Sequence, residues 1–378
     1  MGLIKKVAKH FFYVLPINKR KVVMLSFAGG GYGCNPKYIA DEMLKRKSFK
    51  IYWLYSPKRL KDLSCFPEGV TPVRIGSWGE LYHLCTAGVL ISNARSYFWD
   101  KIRKRAGQRY IQTWHGNMCF KKIEGDCDTL DDGYINLAKI DSRNTDLLLC
   151  GSKWRADTCF YRSFFYSGPI STFGLPRNDI LFSSRAKDIK ERVCEQFGID
   201  KCSNILLYAP TFRDSRSLSM YSLDYGRVKQ AMEERFGGKW VVLSRLHPNL
   251  IQIDNVLPNL PYVKDASKYP DMQELLLVSD VMITDYSGCA FDFVLTKRPI
   301  LLFATDIEEY TKERDFYFDL SSTPFSIAEN NDMLIENISK FDDKKYAKRV
   351  GEFLTERGVY DDGHAAEKCV NIIEHWTR

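Results

Sequence analysis

The chain has no long hydrophobic segment. No run of about 18 uncharged apolar residues occurs in its 378 residues, so the sequence predicts no transmembrane helix. It also shows no signal peptide and no low-complexity segment. Hydrophobic residues make up 45% of the chain and charged residues 27%, which is typical of a globular protein. The length suits two domains of ordinary size.

The cysteines lack the spacing of a metal or redox site. The eleven cysteines include no Cys-x-x-Cys pair, and the closest two are eight residues apart. Zinc-binding and thioredoxin-type sites are therefore unsupported. The count is odd, and several cysteines lie inside apolar runs, where they act as small buried hydrophobes. We expect a reducing, cytoplasmic environment.

Positive charge is in moderate excess. The net charge is +8 and the pI is about 8.8, which favours phosphates, anionic lipid or nucleic acid as partners. Beyond the N-terminus the basic residues are dispersed, and no nucleic-acid-binding module is present. We therefore expect no nucleic-acid partner.

The first 21 residues carry six Lys or Arg and no Asp or Glu. Their apolar side chains fall near one side of a helical wheel, and Lys5, Lys6 and Lys9 lie mostly on the other. This pattern fits a basic amphipathic helix on a membrane surface. It also fits a first helix that packs on the core of its own domain, and the wheel alone does not separate the two.

Short apolar runs alternate with amphipathic segments along the rest of the chain. This alternation predicts parallel, doubly wound sheets, and the pattern restarts after a charged helix at 183–200. We expect a basic helix at 1–21, an N-terminal Rossmann-like acceptor domain at 22–182 and a C-terminal Rossmann-like nucleotide-donor domain at 183–378. The predicted strands are 22–27, 51–55, 70–75, 89–92, 110–113, 147–150, 205–208, 240–245, 281–284 and 300–303, and the main helices are 38–45, 78–86, 183–200 and 364–376.

A glycine-rich turn at 28–33 follows the first strand. Its spacing does not fit Gly-x-Gly-x-x-Gly, because Cys34 stands where a third glycine would be needed. The turn either lets the backbone approach a ligand closely or is a plain connection.

The stretch from 281 to 303 reads as strand, small polar turn, helix and strand. The N-terminus of a helix placed after such a turn favours an anion, so Ser287 and the Gly288 N–H are candidate phosphate ligands. Asp285 and Ser287 are equally compatible with simple helix capping.

Polar residues also follow the other predicted strands of the second half. Ligands of parallel sheets bind at the carboxyl ends of the strands, so this convergence indicates a site. The residues at or near these ends are Thr211, Arg213, Arg245, His247, Asp285 and Ser287.

In the first half, His115 ends a predicted strand and therefore faces the crevice rather than the core. Lys121 and Lys122, a few residues downstream, are candidate contacts of an anionic substrate. Asp126-Cys127-Asp128 resembles an Asp-x-Asp metal site, but no strand precedes it and it lies in a polar loop. We expect no metal and no cofactor.

A set of short motifs, taken in order, resembles the CDP-glycerol glycerophosphotransferase family, which builds teichoic acids and related capsular polymers. The motifs are Trp114-His115-Gly116, Gly174-Leu175-Pro176-Arg177-Asn178-Asp179, Tyr208-Ala209-Pro210-Thr211-Phe212-Arg213, Leu246-His247-Pro248, Thr284-Asp285-Tyr286-Ser287 and Arg314-Asp315-Phe316-Tyr317-Phe318-Asp319, with Asn35-Pro36-Lys37 also fitting.

The resemblance implies a B-type glycosyltransferase fold, in which two Rossmann-like domains face each other across a cleft. It implies CDP-glycerol as donor, a lipid-linked glycan or polyol phosphate as acceptor, and peripheral attachment to the anionic cytoplasmic face of the bacterial membrane. Two motifs depart from the family pattern. Asn117-Met118-Cys119 replaces Thr-Pro-Leu, which bears on the acceptor, and Gly288 replaces a second serine.

On this hypothesis His115 is the general base for the acceptor hydroxyl. His247 is the second residue expected to be catalytic, and it acts with Arg213 on the donor pyrophosphate. Arg245 and Asp285 are further donor ligands, and the leaving phosphate is assigned to Ser287 and Gly288 with help from Thr211. Asn35, Lys37, Lys121 and Lys122 are assigned to the acceptor. Two alternatives stay open: a transferase that uses CDP-ribitol or a nucleotide sugar, and an inactive nucleotide-binding scaffold in a polymer-assembly complex.

Overall fold

The computed structural model describes residues 11–128, 130–211, 222–246, 257–307, 310 and 315–378. The chain divides into two compact units. Unit 1 contains residues up to 115, 123–179 and 359–378, and unit 2 contains 116–122 and 180–358. The sequence-based boundary between 182 and 183 stays a prediction.

Unit 1 is built on a seven-stranded parallel sheet in the order β3-β2-β1-β4-β5-β6-β7. Its central strands are short apolar runs such as Val22–Leu25, buried on both faces as a parallel sheet between helices requires. The strands are β1 Asn18–Leu25, β2 Lys50–Tyr55, β3 Val70–Arg74, β4 Ala87–Ser92, β5 Arg109–Gln112, β6 Leu147–Leu149 and β7 Ile170–Ser171.

Helices cover both faces of this sheet. The last helix of the chain returns to unit 1, where Glu374 and Asn371 bind Arg46 at 3.1 Å and 2.7 Å. The helices of unit 1 are α1 Cys34–Arg46, α2 Trp78–Thr86, α3 Phe98–Lys101, α4 Asp132–Asn144, α5 Lys153–Arg155, α6 Tyr161–Ser163 and, from the C-terminus, α13 Ala365–Trp376.

Unit 2 repeats the design with six parallel strands in the order β10-β9-β8-β11-β12-β13. Numbered within each unit, both sheets contain the order 3-2-1-4-5-6 that is typical of Rossmann folds. The strands are β8 Asn204–Ala209, β9 Trp240–Ser244, β10 Val263–Asp265, β11 Val281–Thr284, β12 Ile300–Phe303 and β13 Ser326–Ala328, and the helices are α7 Ala186–Phe197, α8 Tyr225–Phe236, α9 Met272–Val278, α10 Ala290–Phe293, α11 Asn331–Ser339 and α12 Asp343–Glu356.

The predicted α/β fold of two Rossmann-like sheets is confirmed, and every strand predicted from the sequence is present. The sequence did not reveal β7, β10 and β13, which are edge or near-edge strands of at most three residues. Helix α1 starts four residues earlier than predicted, because Pro36 lies in its first turn, where a missing N–H costs nothing. In the described part of the chain, no helix is long and apolar enough to cross a membrane.

Candidate active site

The order of each sheet reverses at one point, and binding residues of doubly wound sheets gather there. In unit 1 this point lies between β1 and β4, and in unit 2 between β8 and β11. Each unit is described in turn.

His115 lies at the reversal point of unit 1. Its Nδ1 is 2.7 Å from the carbonyl oxygen of Asn93, the residue that follows β4. A carbonyl only accepts, so Nδ1 carries the proton and donates it to Asn93. The lone pair of the neutral ring is then on Nε2. The geometry therefore fixes the tautomer that a base acting through Nε2 requires.

The His115 ring stays neutral over a wide pH range. Burial lowers its pKa to about 4, and the positive charges of Arg177 and Arg155 act in the same direction. The hydrogen bond to Asn93 opposes this shift. At neutral pH the imidazole is therefore a proton acceptor, and an anionic substrate beside it would raise its pKa towards the range of a general base.

Aromatic groups set the direction of the ring. Trp114 stacks on His115 with centroids 4.3 Å apart, and Phe27 meets it edge-on at 5.8 Å. Trp114 itself has a φ of +49°, and Phe27 has +44°. Bulky residues rarely adopt these left-handed values, and such strain persists only where the surroundings hold it in place.

Arg177 was not among the predicted site residues. Its Nη1 donates to the carbonyl of His115 at 3.0 Å and lies 3.7 Å from the Cys34 sulfur at the start of α1. It places a cation beside the base. The only sequence signal was its position in the Gly174–Asp179 motif, after a strand too short to be recognised.

Asn35 and Lys37 lie in the first turn of α1. The Asn35 amide is fully buried, donates to the carbonyls of Thr113 and Trp114, and accepts from the Arg177 N–H at 3.1 Å. It thus ties β5 to the Gly174–Asp179 turn. Lys37 is half-buried, with its Nζ 4.9 Å from the centre of the Tyr38 ring. Their assignment to the acceptor stays a prediction.

In unit 2, Asp285 joins the two strand ends at the reversal point. Its carboxylate accepts from the Thr211 N–H at 2.9 Å and from the Thr211 hydroxyl at 2.5 Å. It also accepts from the Tyr286 N–H at 2.6 Å. Asp285 is 3% exposed and therefore lies under the turn. Its hydrogen bonds hold the backbone of Thr211 and Tyr286, next to Ser287 and Gly288.

The turn at Ser287 and Gly288 is half-buried. The Ser287 oxygen accepts from the Cys289 thiol at 3.0 Å, and burial raises the pKa of that thiol to about 12. The predicted helix is shorter than expected: α10 spans Ala290–Phe293 and continues as a 3₁₀ turn, Val294–Thr296. Its dipole is correspondingly weak, so any anion there depends mainly on local N–H and O–H donors.

Arg245 is the predicted donor-binding cation that lies within the described residues of unit 2. Its Nη1 donates to the carbonyl of Tyr269 at 2.6 Å, and burial lowers the pKa of its guanidinium. The negative charge of Asp271 opposes that shift. The other predicted donor ligands, Arg213 and His247, lie outside the described residues.

Residues 116–122 form part of unit 2, although they directly follow His115. Their backbone pairs with 315–317: the Lys122 N–H donates to the Asp315 carbonyl at 2.8 Å and the Tyr317 N–H to the Phe120 carbonyl at 2.7 Å. The ammonium of Lys122 binds the Asp315 carboxylate at 2.7 Å, and that of Lys121 lies over the Tyr310 ring at 4.7 Å. The Met118 carbonyl lies beside Gly288, 3.4 Å from where a Cβ would stand.

Asp126, in the predicted Asp-x-Asp segment, ends a 3₁₀ turn and meets Arg162 at 3.4 Å. Within the ranges that the structure describes, no three His, Cys, Asp or Glu side chains are grouped so that they could hold a metal ion. All eleven cysteines fall in these ranges, and none of them forms a disulfide.

Comparisons with known proteins agree with this architecture. The profile of the family described as CDP-Glycerol:Poly(glycerophosphate) glycerophosphotransferase matches residues 7–375. The chain is 29% identical to the teichoic acid poly(glycerol phosphate) polymerase of Bacillus subtilis over 98% of its own length and 51% of that protein. It is 28% identical to the Bacillus spizizenii protein of the same name over 95% of this chain and 93% of that one.

A solved structure is also similar. It is a histidine-to-asparagine variant of the wall teichoic acid polymerase TagF soaked with CDPG. The TM-score is 0.83 at 25% identity, with 99% of this chain and 93% of that chain covered. The chain thus spans about half of the first curated relative and nearly all of this structure.

Proposed function

The chain belongs to the CDP-glycerol:poly(glycerophosphate) glycerophosphotransferase family, and from that premise we propose that it transfers glycerol phosphate from CDP-glycerol to a hydroxyl of a membrane-linked acceptor in teichoic acid or capsular polymer synthesis. The observation that carries the proposal is the His115 ring, which is neutral, held through Nδ1 and able to accept a proton at Nε2.

In this reaction the acceptor oxygen forms a bond to the β-phosphorus, and the bond from that phosphorus to the bridging oxygen breaks. CMP leaves with the bridging oxygen. The acceptor proton moves to Nε2 of His115, which then becomes an imidazolium. Proton removal of this kind contributes about 10² to 10⁴-fold to a rate.

We assign donor binding to unit 2. Asp285 and Thr211 hold the turn, while the Ser287 hydroxyl and the Gly288 N–H are the proposed donors to the phosphate oxygens. Arg245, which is oriented by the Tyr269 carbonyl, would balance the negative charge of the phosphate oxygens. His247 and Arg213 complete the donor set in the proposal, and Lys121 and Lys122 remain the proposed contacts of an anionic acceptor.

The first experiment compares two histidine variants, because two histidines of unit 1 have a pKa lowered to about 4 by burial. His115→Ala should lose about 10² to 10⁴-fold in transfer of radiolabel from CDP-glycerol. His83 stacks on Tyr52 with ring centroids 3.8 Å apart and has no proposed catalytic role, so His83→Ala should retain turnover. A transfer rate near that of the unaltered chain in His115→Ala would show that His115 is not the general base.

The same assay tests the donor. CDP-ribitol and a nucleotide sugar replace CDP-glycerol in parallel reactions, with CMP or the corresponding nucleotide measured as product. We expect turnover with CDP-glycerol to exceed that with the other donors. Faster turnover with CDP-ribitol would make the chain a ribitol-phosphate transferase, and no turnover with any donor would favour the scaffold.

We further propose peripheral attachment to the anionic cytoplasmic face of the membrane. One side of the short helix at 11–14 packs inward, since Phe12 meets Tyr82 at 5.7 Å. The other side exposes Phe11 (65%) and Val14 (77%), and Trp78 on α2 is 46% exposed. Exposed aromatic and apolar groups next to a basic segment fit an interfacial surface.

Vesicle sedimentation tests the attachment. A Phe11→Asp/Val14→Asp variant should bind vesicles containing phosphatidylglycerol more weakly than the unaltered chain, while Met333→Asp, at an exposed apolar position of unit 2, should not. Equal binding by both variants would locate the attachment elsewhere.

A further inference from the structure

We propose that Gln112 is a positioning residue for His115: its buried amide fixes the backbone on both sides of the hydrogen bond that orients the imidazole. This inference rests on the proposed role of His115 as the base, and it adds a residue that belongs to none of the motifs above.

Gln112 ends β5 and is fully buried. Its Oε1 accepts from the Trp114 N–H at 3.0 Å, and its Nε2 donates to the Ala94 carbonyl at 2.9 Å. Trp114 precedes His115, and Ala94 follows Asn93, whose carbonyl binds the ring. One side chain therefore spans both flanks of the His115–Asn93 contact.

The orientation of this amide follows from its partners. The Trp114 N–H requires an acceptor, whereas the Ala94 carbonyl requires a donor, so the oxygen and nitrogen of Gln112 cannot exchange places. The nitrogen also lies 3.2 Å from a carboxylate oxygen of Asp141. A carboxylate on that side reinforces the same orientation.

The hydrogen bond from the Trp114 N–H to Gln112 helps to hold the strained backbone of Trp114. With φ at +49°, Trp114 has a left-handed conformation that is strained for a bulky non-glycine residue. Gln112 binds its N–H and Asn35 binds its carbonyl at 3.1 Å, so the peptide groups on both sides of this residue are held. Release of either group would let Trp114 relax, and the stacked His115 ring would turn with it.

Asp141 anchors the amide from behind. It is fully buried and accepts from the Trp99 indole at 2.9 Å and from Arg95 at 3.4 Å. Arg95 also binds Glu124 at 2.7 Å. Gln112 thus belongs to a buried network whose members restrict one another, which suits a group that must stay in one orientation.

The test uses two variants of Gln112 and a matched control. Gln112→Leu removes all the hydrogen bonds of the amide, which are those with Trp114, Ala94, Tyr110 and Asp141. Gln112→Met has nearly the same volume and removes the polar atoms without placing a second carboxylate beside Asp141. Gln108→Leu is the control, because Gln108 is also a buried amide, donates to the carbonyls of Leu84 and Ala87 at 2.8 Å, and lies at the opposite end of β5.

The decisive readout is the tautomer of His115, measured from the ¹⁵N shifts of its ring nitrogens in the histidine-labelled full chain and identified by comparison with His115→Ala. The unaltered chain and Gln108→Leu should show the Nδ1–H form. Both Gln112 variants should show a mixture of tautomers. In transfer assays their kcat should fall on the order of 10²-fold, with KM for CDP-glycerol unchanged.

An unaltered His115 spectrum in the Gln112 variants would overturn the inference, whatever happens to turnover. A changed spectrum with full turnover would uphold the positioning role and instead count against His115 as the base. If Gln112→Leu does not fold, Gln112→Met alone decides, since it nearly preserves the volume and adds no charge.

Discussion

The two units share a strand order but build their sites differently. In unit 1 the site residues are held by buried charge and strained backbone: Phe27 and Trp114 have positive φ values, and Arg95, Glu124 and Asp141 form ion pairs beneath them. In unit 2 a single carboxylate, Asp285, ties two strand ends together. In the described part of unit 2, Lys297 is the one non-glycine residue with positive φ.

The difference follows from what each site is proposed to do. A base must keep one tautomer and one direction, so it needs support on several sides. A phosphate accepts donors from many directions, so a short turn with N–H and O–H groups suffices. Strain and buried charge therefore mark the half that is proposed to carry out proton transfer. The predictions below test this contrast.

The largest effect should come from Arg95→Met. The change leaves Glu124 and Asp141 as buried carboxylates without their cation, which typically costs about 3–5 kcal/mol. Urea unfolding measures the loss. Arg162→Met, which breaks the exposed pair with Asp126, should change the free energy of unfolding by at most about 1 kcal/mol. Equal losses would show that the buried network contributes no more to stability than the pair of Arg162 and Asp126.

A second prediction separates strain from crowding. Gly29 and Gly76 both have a φ of +86°, but a Cβ on Gly29 would lie 2.6 Å from the Ser56 nitrogen, whereas none of the atoms around Gly76 would come within 4 Å. Gly29→Ala should cost about 2–4 kcal/mol, and Gly76→Ala about 1–2 kcal/mol from φ alone. The two free energies of unfolding decide. Similar values would mean that the turn after β1 adjusts freely.

A third prediction addresses unit 2. Thr211→Val removes the hydroxyl that donates to Asp285 but keeps the backbone N–H, so it should cost about 1.5–3 kcal/mol. Because the turn carries the proposed phosphate donors, KM for CDP-glycerol should rise, while kcat falls less than in His115→Ala. Thr211→Ser is the matched control and should behave like the unaltered chain. An unchanged KM in Thr211→Val would show that the hydrogen bond between Thr211 and Asp285 does not contribute to donor binding.

The smallest effect concerns acid stability. Burial lowers the pKa of His83 to about 4 from an ordinary value of 6.5, so between these values the unfolded chain binds more protons than the folded one. Stability should therefore fall as pH drops from 6.5 to 4. His83→Phe keeps the stack on Tyr52 and should make that slope shallower in urea unfolding. His375→Phe, at an exposed position, is the control, and an equal change in both would argue against the assignment.

The sequence allowed both sheets and much of the candidate site to be predicted. Buried parallel strands are apolar runs, so Val22–Leu25 and Val281–Thr284 could be recognised locally. Residues that follow such strands, such as His115 and Asp285, could each be placed at the carboxyl edge of their own sheet, because parallel strands share a direction. Edge strands such as Ile170–Ser171 could not be found, because two residues carry no period.

Sequence alone therefore determined where polar groups leave the sheets, because that information is local to each strand and turn. Only the tertiary structure decided which side chains and backbone groups bind one another. Gln112 and Arg95 look like ordinary residues at a strand end and in a loop, and no local pattern shows that Asn35 binds the carbonyls of Thr113 and Trp114. Their partners are far away in the chain, and hydrogen bonds across such separations form only when the strands lie side by side.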